Sequence, residues 1–220
     1  MKLIKKSLSF ITAIACCAAI SSIMPFSSSA EESVKTYGDL SYITLDSDGD
    51  GTDDYAQIVD CNETAVEVDI PAEIEGLPVK STRDWAFADC KSLTSISVPD
   101  SVNAIGNGAF SGCSSLASIN IPNSVTTIRG SAFCNCLSLT SITIPESISQ
   151  INIWAFKDCL SLISINIPDN VVYISSSAFY GCKSLTDINV TENNKYYSSS
   201  AGLLFDKNKT ELIKYPAGKS

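Results

Sequence analysis

Cys90-Lys-Ser-Leu93-Thr-Ser-Ile96-Ser-Val98-Pro99-Asp-Ser-Val102-Asn-Ala-Ile105-Gly-Asn-Gly-Ala109-Phe110 decides the fold, because the chain then starts the same phrase again. Cys113, Leu116, Ile119, Ile121, Pro122, Val125, Ile128 and Ala132-Phe133 repeat it in register. The dipeptide Ala-Phe marks the beat at 86–87, 109–110, 132–133, 155–156 and 178–179, always 23 residues apart. Self-similarity at a fixed period of this size is the signature of one supersecondary unit stacked on its own copies.

Within one unit, Leu93, Ile96 and Val98 turn inward around an exposed Ser97, the pattern of a short half-buried strand. Proline follows in the first four units, at 99, 122, 145 and 168; it donates no ladder hydrogen bond and so ends the strand. Val102 and Ile105 turn inward at spacing three, and Ala109-Phe110 fills the wider side of the coil. No unit can bury this set alone. The expected fold is therefore a repeat solenoid of the leucine-rich-repeat kind, with 23-residue coils, a parallel concave β-sheet, an irregular or short-helical outer side, and β-hairpin caps.

Around the repeats, residues 31–62 read as an N-terminal cap, with Tyr42 to Leu45 and Tyr55 to Val59 bracketing an acidic turn. The repeats occupy 63–190, beginning with a partial unit at Ile70-Pro71 and Val79 that carries a loop insertion over Glu73 to Pro78. Residues 191–220 read as a second hairpin, Leu203-Leu204-Phe205 against Leu212 to Tyr215, closing the array or opening a continuation. Residues 1–30 read as a secretory signal: Lys2, Lys5 and Lys6, an apolar run from Leu8 to Met24, then Ser28-x-Ala30. A membrane anchor is the alternative for that run, disfavoured by Ser21, Ser22 and Pro25; a lipid attached through Cys16 is weaker still, given Ala13.

Signal removal takes three lysines and no acid, leaving 12 bases against 24 acids, a charge near −12. That balance repels nucleic acid and anionic lipid, so the expectation is an exported, monomeric chain with no nucleic-acid partner and no membrane insertion. Seven cysteines remain, and five of them (90, 113, 136, 159, 182) share one place in successive coils, which reads as a buried column of thiols rather than disulfides. With no histidine and no Cys-x-x-Cys, they suit no zinc site.

The phrase Cys-x-x-Leu-x-x-Ile-x-Ile-Pro-x-x-Val-x-x-Ile…Ala-Phe resembles the BspA-type leucine-rich repeats of bacterial surface and secreted proteins, over about residues 63–190. The stretch from Ile70 to Val79 and the ending Leu204-Phe205-Asp206 … Tyr215-Pro216-Ala217-Gly218-Lys219 resemble that family too. The resemblance implies an extracellular or cell-surface protein that binds a protein or cell-surface ligand, in adhesion. The alternative is a structural spacer presenting another module.

Catalysis is disfavoured. The commonest general base is absent, and the acids, lysines and arginines look scattered among turns and caps, so a hydrolase is the weakest reading. No cofactor is expected, with one calcium-like string: Asp46-x-Asp48-x-Asp50-Gly51 copies positions one, three, five and six of a calcium loop, and Asp54 position nine. Gln57 stands where the closing carboxylate belongs, and an ordinary exposed turn uses the same residues, which is the preferred reading. The outward positions of the strand face (Thr94, Ser95, Ser97 and their counterparts) form a carpet of small polar groups without aromatic or arginine anchors. Candidate ligand-binding residues are instead the departures from the repeat: Ile153, Trp154, Leu160, Ile163, Val172, Tyr173 and Tyr180, apolar where related places are often polar or small. Against that, Trp154 shares a column with Trp85 and is equally suited to lying flat on the outer side.

Overall fold

A unit that collects leucine, isoleucine and phenylalanine on one side has nothing of its own to cover them, and the chain answers by stacking. The structure, a computed structural model, describes residues 33–219. The signal expected at 1–30 lies outside the described residues. In chain order the strands are β1 (Lys35–Tyr37), β2 (Leu40–Leu45), β3 (Tyr55–Cys61), β4 (Glu67–Asp69), β5 (Glu73–Ile74), β6 (Leu77–Thr82), β7 (Ser95–Ser97) and β8 (Ala104–Ile105). There follow β9 (Thr127–Ile128), β10 (Gln150–Ile151), β11 (Ser164–Ile167), β12 (Tyr173–Ile174), β13 (Asp187–Val190), β14 (Tyr197–Ser200), β15 (Leu203–Asp206) and β16 (Leu212–Lys214).

Two parallel ladders run along the stack. The expected one joins the Ile-x-Ile strands, but it is broken: β4 pairs with β7 and β11 with β13, while single bridges Ser97↔Asn120 and Thr143↔Asn166 carry it elsewhere. Proline after these short strands, in every unit but the last, leaves little backbone able to donate. The steadier ladder was not expected. It follows the Val-x-x-Ile side, where β3, β6, β8 and β9 pair in parallel and β10 pairs with β12. β1 and β2 add antiparallel strands to its first edge, at β3. The insertion read as a loop is a tight hairpin, β5 against β6, with Glu75 and Gly76 both at positive φ and Ile74 buried beneath.

The outer side contains no helix among the described residues; it is built wholly of turns. Its N–H groups alternate. Those of Trp85, Phe87 and Asp89 cross to the carbonyls of Asn107, Ala109 and Ser111 in the next coil, each at 2.8 Å. Those of Ala86 and Ala88 fold back onto Arg83 and Trp85. A right-handed helix cannot divide its donors this way, and two left-handed residues per coil prevent it: Trp85, Gly108, Ser131 and Trp154 in one column, Asp89, Gly112, Asn135, Asp158 and Gly181 in another.

Inside, the repeated apolar residues are buried, Val190 in the last coil only partly. The five phenylalanines stack with ring centroids 5.0 to 5.8 Å apart and planes within 20°. The five column cysteines form no disulfide and are buried beside them. Strands β14, β15 and β16 form an antiparallel sheet after the last coil, and Ile188 N–H reaches Gly202 O at 2.9 Å.

Candidate functional site

The polar carpet on the strand face is partly spoken for. Thr94, Thr140 and Thr186 donate their hydroxyls to the carbonyls of Val66, Ala117 and Ile163, one coil back, at 3.0, 3.3 and 3.2 Å. These side chains stitch coil to coil where the ladder is thin, which gives a structural reason for hydroxyls in that column.

Of the seven apolar departures, five stand in solvent: Ile153, Ile163, Val172, Tyr173 and Tyr180, 42 to 62% exposed. Trp154 and Leu160 are half-buried. They do not converge on one spot. Val172 and Tyr173 lie at the second ladder, Ile153 and Trp154 in the outer turn, Leu160 and Tyr180 on either side of the cysteine column, and Ile163 at the first ladder. The fourth and fifth coils thus wear an apolar belt in segments. Trp154 sits at φ 55°, its ring covered by Lys157 with the ammonium 5.4 Å from the centroid. Tyr197 closes the ladder beside Tyr173, its hydroxyl accepting Ile174 N–H at 3.0 Å.

In the β2–β3 turn, Asp46, Asp48 and Asp50 bring carboxylate oxygens within 4.8 Å of one another. Asp46 accepts the N–H groups of Gly51 and Gly49 at 2.8 and 2.6 Å, and these donors, Gly51 first, hold its carboxyl below the usual range. Asp54 stands apart from the trio: it accepts the Ser47 hydroxyl and N–H, which lower its pKa in turn. Gln57 points elsewhere, its amide donating to Ser81 Oγ at 2.8 Å.

The view that the cations are scattered missed one cluster. Beside the second ladder lies an open trough of about 600 Å³. Its lining includes Tyr55, Lys80, Arg83, Asn103, Gly106 and Arg129, and so both arginines of the whole chain. Arg83, Gly106 and Arg129 occupy one column in three successive coils, the arginines 46 residues apart, which is twice the period. That interval was the available signal.

Comparison with known proteins bears on the fold. The model of the BspA type leucine-rich repeat region matches residues 80–209 in six copies. A leucine-rich repeat protein of T. pallidum is 34% identical over 70% of this chain and 70% of its own, with a TM-score of 0.64. One from Bacteroides ovatus is 31% identical over 71% of this chain but 40% of its own length, TM-score 0.63. A leucine-rich cell surface protein from Faecalibacterium prausnitzii is 25% identical, covering 86% of this chain and 63% of the other, TM-score 0.53. No curated protein matches the chain.

Proposed function

Because the chain belongs to the BspA-type leucine-rich repeat family, we propose that it is a secreted or cell-surface protein that recognises a protein or cell-surface ligand non-covalently, in adhesion. The observation that carries this is the apolar belt: Ile153, Ile163, Val172, Tyr173 and Tyr180 keep large apolar surface in water at columns that are polar or small in the other coils. Apolar and aromatic side chains on a stacked scaffold supply contact energy at low cost in side-chain entropy, and several segments engage one partner at once. The absence of histidine from the sequence and the F. prausnitzii relative described as a cell surface protein support the same reading. No chemistry is performed.

The test is binding of the chain to a panel of immobilised extracellular-matrix proteins and cell-wall polysaccharides, with an Ile153→Ser/Tyr173→Ser/Tyr180→Ser variant alongside. These side chains are exposed, so the variant keeps its circular dichroism spectrum while affinity falls about tenfold or more. Equal binding by the variant overturns the apolar assignment, and no binding to any member of the panel overturns adhesion.

A further inference from the structure

The head of the cysteine column is out of step with the rest. In a regular coil the leucine N–H closes a turn on the cysteine carbonyl, as Leu93 does on Cys90 and Leu116 on Cys113, both at 3.1 Å. In the coil before them the same turn is closed by Ala65 on Asn62 at 3.0 Å, and β4 pairs with β7 in the matching register, Glu67 opposite Ser95. Asn62 therefore stands at the cysteine position, yet it is exposed. The buried side chain is that of Cys61, one residue earlier, at the end of β3.

That single step changes what the thiol meets. From Cys113 onward each column thiol donates to a phenylalanine carbonyl one coil back, so regular spacing turns sulfur toward backbone. Cys61 comes at Cys90 on the diagonal instead. A coil spacing of about 4.8 Å and a residue step of about 3.8 Å put the two Cα atoms about 6 Å apart, inside the range that a disulfide spans. Both residues are buried in one core, and their thiols share a side-chain hydrogen bond. That bond first, and burial after it, hold the Cys61 thiol well above its ordinary range.

We propose that Cys61 and Cys90 are a disulfide site that ties the last cap strand to the first complete coil. The structure shows the pair as thiols. The oxidant is a small organic disulfide, RSSR. The thiolate of one cysteine attacks a sulfur of RSSR, forming a mixed disulfide and expelling RS−. The thiolate of the other then attacks the protein sulfur of that mixed disulfide, closing the Cys61–Cys90 bond and expelling the second RS−. The two thiol protons end on two RSH, and the two electrons lost by the pair reduce the reagent. Packing suppresses the thiolate, so the exchange belongs to folding, before β3 docks on the coil. The finished bond encloses β4, β5 and β6, the stretch that joins the antiparallel cap to the stack, and stabilises the fold by restricting the unfolded chain. The inference goes beyond ligand recognition and uses no residue of the apolar belt.

The experiment refolds the full chain from urea with oxidised glutathione in excess over reduced, blocks the remaining thiols with iodoacetamide, and maps the tryptic peptides by mass. Trypsin parts the two cysteines, placing Cys61 in peptide 36–80 and Cys90 in peptide 84–91. A species joining these two peptides is expected, split by dithiothreitol, with Cys113, Cys136, Cys159 and Cys182 recovered alkylated. The oxidised chain is expected to unfold at a urea midpoint higher than that of the reduced chain by on the order of 1 M, a shift absent in Cys61→Ser. Should that variant fail to fold, the oxidised and reduced forms of the parent still give the comparison. The proposal is overturned if both peptides are recovered separately with their cysteines alkylated, if either cysteine is linked to a different column thiol, or if both end as glutathione adducts. An unchanged midpoint in the linked chain overturns the role of the bond as a tie between cap and coil.

Discussion

Cys113, Cys136, Cys159 and Cys182 each donate the thiol hydrogen to a phenylalanine carbonyl in the coil before, those of Phe87, Phe110, Phe133 and Phe156, at 3.1, 3.2, 3.1 and 3.0 Å. The same carbonyls accept the N–H of the cysteine in their own coil, so both lone pairs are used. The column is thus a weak hydrogen-bonded seam as well as filler, a role alanine does not supply. Cys136→Ala is expected to lower stability by about 1–2 kcal/mol, read as a lower urea midpoint, from lost volume and the lost seam. Burial also shapes the response to alkali. It raises the thiols of Cys136 and Cys159 well above 9.0 and that of Cys182 to about 11. Since an unfolded thiol ionises near 9.0 and the folded one later, their contribution is complete below pH 9 and is lost as pH rises toward 11. Buried Tyr42 and part-buried Tyr197, also raised by burial, act in the same direction. The urea midpoint is therefore expected to fall between pH 9 and 11, and to fall less steeply in Cys182→Ala; an equal slope removes that thiol from the account.

At the scale of elements, the last coil presents an open end, and Asn194 closes it. Fully buried, it donates to the carbonyls of Pro168 and Val171 at 2.8 and 3.0 Å and accepts the N–H groups of Tyr196 and Tyr197 at 2.9 and 2.8 Å. Asn194→Ala strands these buried groups and is expected to cost about 2–4 kcal/mol, with hydrogen exchange in β12 and β13 rising before that in β6 and β8. What was legible in the sequence differs from element to element for physical reasons. The stack, its period and its buried columns are written in side chains, from Leu93 to Phe110, and could be read directly. Beyond β6 the second ladder is made by two-residue strands such as Ala104–Ile105, whose pairing is a backbone matter with almost no side-chain code. The left-handed columns hide because tryptophan at 85 and 154, and aspartate at 89 and 158, sit where glycine stands in sister coils. Glycine is the signal only if the columns are aligned first. The arginine column was open to the same treatment and escaped because charges were judged by composition instead of by period. For the apolar belt, the identity of the residues was legible, but their distribution around the coil was not, since it depends on where each turn falls.

At the scale of the molecule, each coil touches only its neighbours, so length is adjustable in whole units and in nothing smaller. Excising residues 114–136, one full period, joins Cys113 to Leu137 and hands Cys113 the place and partners of Cys136. The shortened chain is expected to fold, with a lower urea midpoint and a denaturant slope reduced by roughly the surface of one coil. Excising 114–135 instead leaves an extra residue, throws every later inward side chain out of register, and is expected to yield no cooperative transition. The full-period deletion also leaves the apolar belt in place. Ile153, Ile163, Val172, Tyr173 and Tyr180 all lie beyond the cut, so binding to the matrix panel should persist in the same preparation. Loss of that binding in a chain that still unfolds cooperatively would mean that the apolar belt alone does not do the recognising.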